Sequence, residues 1–144
     1  MTLFEKIVAR EIPAKVVFED DEILAFHDVN PQAPVHVLVI PKRVIPRIAE
    51  AQTGDGALLG RLLLTGKQIA ADLGLSETGF RLVINSGHNG GETVPHLHVH
   101  IVPRRKKDGL RGFFWPRQAH PEEAQMQQAQ AAIREALARI TGVS

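Results

Sequence analysis

The chain of 144 residues contains no cysteine and no tyrosine, and it has a single tryptophan. Without cysteine it can form no disulfide, thiolate zinc site or cysteine nucleophile. It also lacks an apolar run of the ~18 residues that a membrane helix needs, and no apolar signal segment is evident, so we expect a cytoplasmic protein with no membrane partner. The formal net charge is only +1, so we do not expect nucleic acid as a partner.

The remaining composition, with 44% hydrophobic and 23% charged residues, is typical of a globular protein with a core. Thr2 and Glu5 form a capping box ahead of a short N-terminal helix, which Pro13 should end. A long helix should span about Asp55 to Leu73, with Gly74 as its C-terminal cap. A further helix is predicted over 121–140, and five strands are predicted over 15–19, 23–26, 35–40, 80–85 and 96–102.

Three histidines stand at alternate positions in one apolar run, Pro95-His-Leu-His-Val-His-Ile-Val-Pro103. Side chains of a strand alternate between its two faces, so His96, His98 and His100 should share one face. The apolar residues between them should then point into a core. Because desolvated imidazoles cost stability unless something uses them, the run indicates a catalytic or metal site rather than packing.

Two chemistries remain open for these histidines. Imidazole is the commonest protein ligand for zinc, and two histidines at i and i+2 of a strand can chelate a metal. However, no Cys, Asp or Glu lies within the motif to complete a typical ligand set. A neutral imidazole can instead attack phosphorus through one nitrogen while the other is held as N–H by a fixed acceptor. We favour this second interpretation.

Three further features gain interest if they lie beside this strand. Asn85-Ser-Gly-His-Asn-Gly-Gly91 leads into Glu92 and Thr93, and its glycines would let backbone N–H groups approach a phosphate; the alternative is a flexible hairpin loop. Asp28 follows an apolar strand and could accept ribose hydroxyls, or it could simply cap the next turn. His36, alone on its strand, is by itself more typical of a structural group.

With these residues, the chain resembles the histidine-triad (HIT) superfamily, and within it the Hint branch of nucleotide-binding phosphoramidases. The family's His-x-His-x-His signature followed by apolar residues is His96-Leu-His-Val-His-Ile-Val102 here. The similarity covers nearly all of residues 2–116, including Leu3-Phe4-Glu-Lys-Ile-Val8, Ala25-Phe-His-Asp28, His36-Val-Leu-Val-Ile-Pro-Lys42 and Trp115-Pro116.

The resemblance implies an α+β fold with a five-stranded antiparallel sheet, a long central helix, and N- and C-terminal helices. It also implies a homodimer whose sheet continues over ten strands. Leucines on more than one side of the long helix, at positions 58, 59 and 62–64, favour such a partner. We therefore expect a HIT domain over residues 1–116. A C-terminal extension over 117–144 should pack its helix on the same domain or on the dimer.

For activity, the resemblance implies a purine nucleoside phosphoramidase that cleaves P–N or acyl–phosphate bonds of AMP or GMP derivatives. His98 would attack the α-phosphorus, and water would then release the nucleoside monophosphate from a nucleotidyl-histidine intermediate. His100 would hydrogen-bond the phosphate or leaving group, His96 would orient His98, and His36 matches the family's upstream fourth histidine. No cofactor or metal is implied.

The matching positions also imply a nucleotide pocket, although Glu92 places a negative charge near its phosphate side. Asp28 matches the ribose carboxylate. The purine pocket would comprise Phe4, Phe26, His27 and Val29, and the phosphate-binding loop Asn85, Gly91, Thr93 and Val94. Three alternative functions stay open, which are a nucleotide-binding regulatory module with vestigial activity, a metal-binding protein or metallohydrolase, and a dinucleoside polyphosphate hydrolase.

Overall fold

Five antiparallel strands form one sheet in the computed structural model of the chain, which describes residues 1–109 and 122–141. The strand order is β1-β2-β3-β5-β4. The expected α+β fold is confirmed, and each strand lies at or close to its predicted place. The bounds are β1 Val16–Glu19, β2 Ile23–His27, β3 Val37–Pro41, β4 Phe80–Val83 and β5 Val99–Pro103.

Helix α1 (Leu3–Val8) begins with the predicted capping box, in which Thr2 Oγ1 accepts the Glu5 N–H and Glu5 accepts the Thr2 N–H. The helix ends at Val8, well before Pro13, so the expected end was wrong. Arg10 takes a left-handed conformation with φ of 62°. The N–H groups of Arg10 and Glu11 then satisfy the last helical carbonyls, which is a Schellman end built without glycine.

Helix α2 (Gly56–Asp72) is terminated by Gly74, which follows the C-cap residue Leu73 and whose left-handed φ of 76° confirms the predicted cap. A one-turn helix α3 (Leu75–Thr78) follows. One face of α2 packs on the sheet. Gly66 makes this approach close, because a Cβ there would lie 3.3 Å from Leu82 Cδ2. Leu63 and Leu64 lie on the outer side of α2 and are 44% and 65% exposed.

The sheet separates two apolar clusters. On the α2 side, β2, β3 and β5 contribute Ile23, Ala25, Val37, Val39, Val99 and Ile101. On the α1 side, a smaller cluster contains Phe4, Ile7, Leu24, Phe26, Leu38 and Ile40. The side chains of β3 therefore alternate between the two clusters, and His36, just before β3, lies on the α1 side of the sheet.

The chain divides into two units, Met1–Asp108 with the sheet and Gly109–Ser144. The described part of the second unit is α4 (Glu123–Thr141), close to its predicted range, and Met126, Ile133 and Leu137 on it are each more than half exposed. The domain boundary predicted after residue 116 and the Trp115-Pro116 pair lie outside the described residues. No helix among residues 1–109 and 122–141 is both long and apolar enough to span a bilayer.

Candidate active site

A cavity of about 540 Å³ lies on the α1 side of the sheet, within the volume range of small-molecule sites. Helix α1, strands β2 and β3, the connection between those strands and the segment that leads into β5 all contribute to its wall. Its polar lining consists of Asp28, Asn30, Gln32, His36, Asn85, Thr93, His98 and His100, and its apolar lining includes Leu3, Phe4, Ile7, Ile12, Phe26, Val29, Leu38 and Val94.

The three histidines face the α1 side of the sheet as expected, although β5 begins only at Val99. The predicted strand start at residue 96 was wrong. The Leu97 N–H donates to the Ile45 carbonyl at 2.7 Å, so the backbone here pairs with the connection after β3. Alternation nevertheless holds, because Leu97, Val99 and Ile101 lie in the cluster on the α2 side.

His98 is held in one tautomer by its own neighbour. Its Nδ1 lies 2.7 Å from the His96 carbonyl oxygen, which can only accept, so Nδ1 carries the proton. The Nε2 of the neutral ring therefore keeps its lone pair. The ring lines the cavity, 4% exposed, and packs edge-on against Phe4 at a centroid distance of 5.0 Å. The free ring nitrogen of His98 therefore offers a lone pair and cannot donate a hydrogen bond.

A second chain of hydrogen bonds fixes the opposite tautomer in His100. The Gln32 backbone N–H donates to His36 Nδ1 at 3.0 Å, so neutral His36 carries its proton on Nε2. That proton is donated to His100 Nδ1 at 2.8 Å, which leaves His100 protonated on Nε2. His100 Nε2 is buried and has no hydrogen-bond partner among the described residues. A buried unpaired donor costs about 1–3 kcal/mol, and a ligand in the cavity could accept from it.

His96 contributes through its backbone rather than through its ring. The ring is fully buried and does not line the cavity. Its Nε2 donates to the Pro41 carbonyl at 2.7 Å, which ties the segment before β5 to the end of β3. The same residue's carbonyl accepts from His98. The side chain therefore holds in place the oxygen that orients His98.

Burial favours the neutral forms of His36, His96 and His100. Desolvation lowers the pKa of His36, although the Asp28 carboxylate partly opposes it. Desolvation also lowers the pKa of His96. Desolvation lowers the pKa of His100 to about 4, and repulsion from the protonated forms of His98 and His36 adds to this effect, although the Asp28 carboxylate partly opposes it. A pair of neutral rings, one with a free lone pair and one with a free N–H, is the arrangement required to attack phosphorus and bind its oxygen.

Asp28, His36 and His100 offer ligand atoms within 4.8 Å of one another, which raises the question of a metal ion. A cation would need the lone pair of His36 Nε2. That nitrogen carries the proton, because Nδ1 already accepts the Gln32 N–H. Binding a metal would break one of these two hydrogen bonds, so the donor set fits a hydrogen-bonded relay better. Asp28 lies 3.5 Å from His36 Nε2 and has its Oδ1 bound by the Asn30 N–H.

The glycine-rich loop reaches the cavity with Asn85, Gly91, Thr93 and Val94. Gly91 has a φ of 90°, a conformation that L side chains rarely adopt. A Cβ on Gly91 would stand 3.7 Å from the Asn85 amide nitrogen, so the two residues are neighbours at the wall. The loop thus brings a backbone turn, an amide and a hydroxyl to the wall of the cavity that His98 also lines.

Most of the predicted site residues line one cavity, but His27 and His96 do not. His27 is exposed at the end of β2, where strand alternation turns it away from the face that carries Phe26. Sequence reasoning did not single out several lining residues, among them Asn30, Gln32 and Leu38. Gln32 acts through its backbone, which no side-chain pattern reveals. Leu38 could have been found from its alternation with His36.

Comparisons with known proteins find chains of similar sequence and fold. The family model for the HIT domain matches residues 9–107. An uncharacterized HIT-like protein from Synechocystis is 57% identical over 80% of this chain and 95% of its own. A HIT family hydrolase from Legionella pneumophila shares 46% identity, covers 81% and 98% of the two chains and has a TM-score of 0.70. A histidine triad nucleotide-binding protein from Candida albicans has 26% identity, 97% and 99% coverage and a TM-score of 0.84.

Proposed function

Because the chain belongs to the HIT family, we propose that it is a hydrolase of purine nucleoside phosphoramidates and acyl nucleotides. Solved relatives are named a HIT family hydrolase and a nucleotide-binding protein, which supports the general class. The observation that carries the proposal is the opposite tautomers of His98 and His100, with a lone pair on one ring and an N–H on the other.

The reaction takes two steps. His98 Nε2 attacks the α-phosphorus, the P–N or P–O bond to the leaving group breaks, and the nucleotide is carried on the ring. The His96 carbonyl accepts from Nδ1–H of the cationic ring that results. The His100 Nε2–H hydrogen-bonds a phosphate oxygen or the departing atom; the departing atom takes up this proton, and the attacking water returns a proton to His100 in the second step. Water then attacks phosphorus, the bond to Nε2 breaks, and the nucleoside monophosphate leaves with His98 regenerated.

The other lining residues fit the rest of a purine nucleotide. Phe4 and Phe26 pack edge to face at 5.5 Å and form an apolar wall for a base. Asp28 would accept the ribose hydroxyls, and Val29, Asn85, Gly91, Thr93 and Val94 would complete the base and phosphate subsites. No contact of His27 supports a place for it in this pocket.

The cavity favours a single phosphate over a polyphosphate. None of its lining residues in the described chain is a lysine or an arginine. A dinucleoside polyphosphate brings several negative charges, and binding it without cations nearby would be costly. The phosphoryl group of a phosphoramidate carries a single negative charge, and its oxygens can be held by N–H donors alone. We therefore rank dinucleoside polyphosphate hydrolysis below the phosphoramidase activity.

A fluorogenic adenosine phosphoramidate tests the proposal, with the wild type and His98→Ala compared at equal concentration. We expect the variant to lose at least about a thousandfold in kcat/KM, because the covalent route needs this nitrogen. His88→Ala is the matched control, since His88 is a histidine of the glycine-rich loop that does not line the cavity. Equal rates for the wild type and His98→Ala would remove the enzymatic proposal. AMP binding without turnover by the wild type would favour the regulatory module.

We also propose that the chain forms a homodimer. The exposed Leu63 and Leu64 on α2 and the two open edges of the sheet, β1 and β4, are the surfaces that a partner could cover. Light scattering at micromolar concentration should give twice the chain mass, and Leu63→Glu/Leu64→Glu should shift it toward the monomer. A monomeric wild type would contradict this part of the proposal.

A further inference from the structure

An arginine and a glutamate 45 residues apart form a bidentate ion pair at the glycine-rich loop. Arg47 donates from Nε to Glu92 Oε1 at 2.9 Å and from Nη2 to Oε2 at 3.0 Å. Its remaining Nη1 donates to Glu50 at 2.8 Å. The Glu92 side chain is only 11% exposed, so the pair is shielded far more than an ordinary surface ion pair.

Glu92 also closes the loop on itself. Its Oε1 accepts the Gly87 N–H at 3.1 Å, and its own backbone N–H donates to the Gly87 carbonyl at 3.1 Å. Glu92 therefore joins the two ends of the turn over residues 87–92. Its sequence neighbours Gly91 and Thr93 both line the cavity. The orientation of Glu92 thus influences the wall on which the phosphate would rest.

This closure places a negative charge between two residues of the cavity wall, Gly91 and Thr93, and near enough to His98 to interact with it electrostatically, so an anionic substrate bound there would be repelled. The Arg47 hydrogen bonds, followed by the Gly87 N–H, lower the pKa of Glu92, so its carboxylate is ionised at neutral pH. Two like charges within several ångströms repel by energies comparable to a binding contact. Since no lysine or arginine in the described chain lines the cavity, Arg47 is placed to compensate this charge.

We propose that Arg47 is a positioning residue for the substrate's phosphate. By clamping both carboxylate oxygens it holds Glu92 against the Gly87 N–H and cancels the charge that this loop closure requires. The inference rests on the proposed nucleotide function, and it adds a residue that lies outside the cavity wall.

Binding of AMP and of adenosine to Arg47→Gln, measured by calorimetry at low ionic strength, tests the idea. AMP should bind about tenfold more weakly than to the wild type, because the exposed Glu92 charge repels the phosphate. Adenosine, which has no phosphate, should bind within about twofold of the wild type. The AMP defect should shrink in ~1 M salt, where the Debye length is only about 3 Å.

Two further variants separate charge compensation from general damage. Arg47→Gln/Glu92→Gln should recover AMP affinity to within about threefold of the wild type, because glutamine keeps an oxygen for the Gly87 N–H but carries no charge. Arg43→Gln is the matched control. It removes the same charge from the same connection, but Arg43 pairs with Asp55 instead of the loop. Its AMP affinity should stay within about twofold of the wild type.

An unchanged AMP affinity in Arg47→Gln would overturn the inference. An equal loss of adenosine affinity in Arg47→Gln would also overturn it. The same holds if the double variant binds AMP as weakly as Arg47→Gln does. If these outcomes came with normal wild-type hydrolysis, the proposed function would stand and only the role of Arg47 would fall. A wild type that binds neither AMP nor adenosine would overturn both.

Discussion

His36 donates its Nε2 proton to His100 Nδ1 across 2.8 Å, although the two residues are 64 positions apart in the chain. This contact determines which ring nitrogen of His100 carries the proton. Since Gln32 fixes the proton of His36 in turn, the direction of the whole relay follows from one backbone N–H. The relay is what makes His100 a donor beside the lone pair of His98.

Removing the donor of His36 should therefore slow the reaction without abolishing binding. His36→Phe fills a similar volume but cannot donate, and we expect kcat to fall roughly a hundredfold with AMP affinity within about threefold of the wild type. His36→Gln can still donate and should lose less. Steady-state kinetics check this order, and equal kcat values for wild type and His36→Phe would contradict the relay.

Lowering the pH should destabilise the fold already at pH values above those at which the carboxylates titrate. His100 has a pKa of about 4 in the folded state, against about 6.5 for a free histidine in the unfolded chain. Between these values the unfolded chain binds more protons, so stability falls as the pH drops. For His100 alone, the free energy of unfolding should decrease by about 2 kcal/mol from pH 7 to pH 5.

Urea denaturation at both pH values measures this change. His100→Gln should have a shallower pH dependence, because glutamine does not titrate. The lowered pKa values of His36 and His96 act in the same direction. Equal stability of the wild type at pH 7 and pH 5 would show that these rings are not held neutral by burial.

Asp28 should discriminate between ribose and its deoxy analogue. A carboxylate that accepts both hydroxyls contributes charge-assisted hydrogen bonds, so wild type should bind AMP about tenfold more tightly than 2′,3′-dideoxy-AMP. Asp28→Asn should lose most of this preference. The ratio of the two dissociation constants, measured for both proteins, is the test. A ratio that Asp28→Asn leaves unchanged would place Asp28 in the role of a turn cap only.

Two adjacent glycines give a matched pair of substitutions in the loop. Gly91→Ala forces alanine into a φ of 90° and should weaken AMP binding severalfold, with a cost of about 1–2 kcal/mol in stability. A Cβ on Gly90 would meet nothing within 4 Å, and its φ lies outside the left-handed region. Gly90→Ala should therefore bind AMP within about twofold of wild type. Equal effects of the two changes would contradict the link between the Gly91 backbone and the phosphate side.

Local sequence patterns predicted much of this fold, but they could not predict contacts between residues that are far apart in the chain. The capping box of Thr2 and Glu5 and the cap at Gly74 depend on residues a few positions apart, and both are confirmed. The end of α1 was missed because Arg10 takes a conformation usually left to glycine. The candidate site residues were predicted from the family resemblance and from strand alternation. Alternation correctly predicted that the three histidines share one face of the sheet.

The ion pair between Arg47 and Glu92 could not be predicted from the sequence. Glu92 already stood out as an acidic residue in a loop expected to bind phosphate. Such a charge requires a cation, but nothing in the chain tells which of 17 lysines and arginines supplies it. Only the folded connection after β3 brings Arg47 to that loop.

The central claim is that His98 carries the nucleotide between two displacements at phosphorus, and stereochemistry tests it most directly. An adenosine phosphorothioamidate of known configuration can be hydrolysed in oxygen-18 water and its product configuration determined. Two in-line displacements, the first by His98 Nε2 and the second by water, predict net retention. Net inversion would mean that water attacks the substrate directly, and the covalent role of His98 would have to be abandoned.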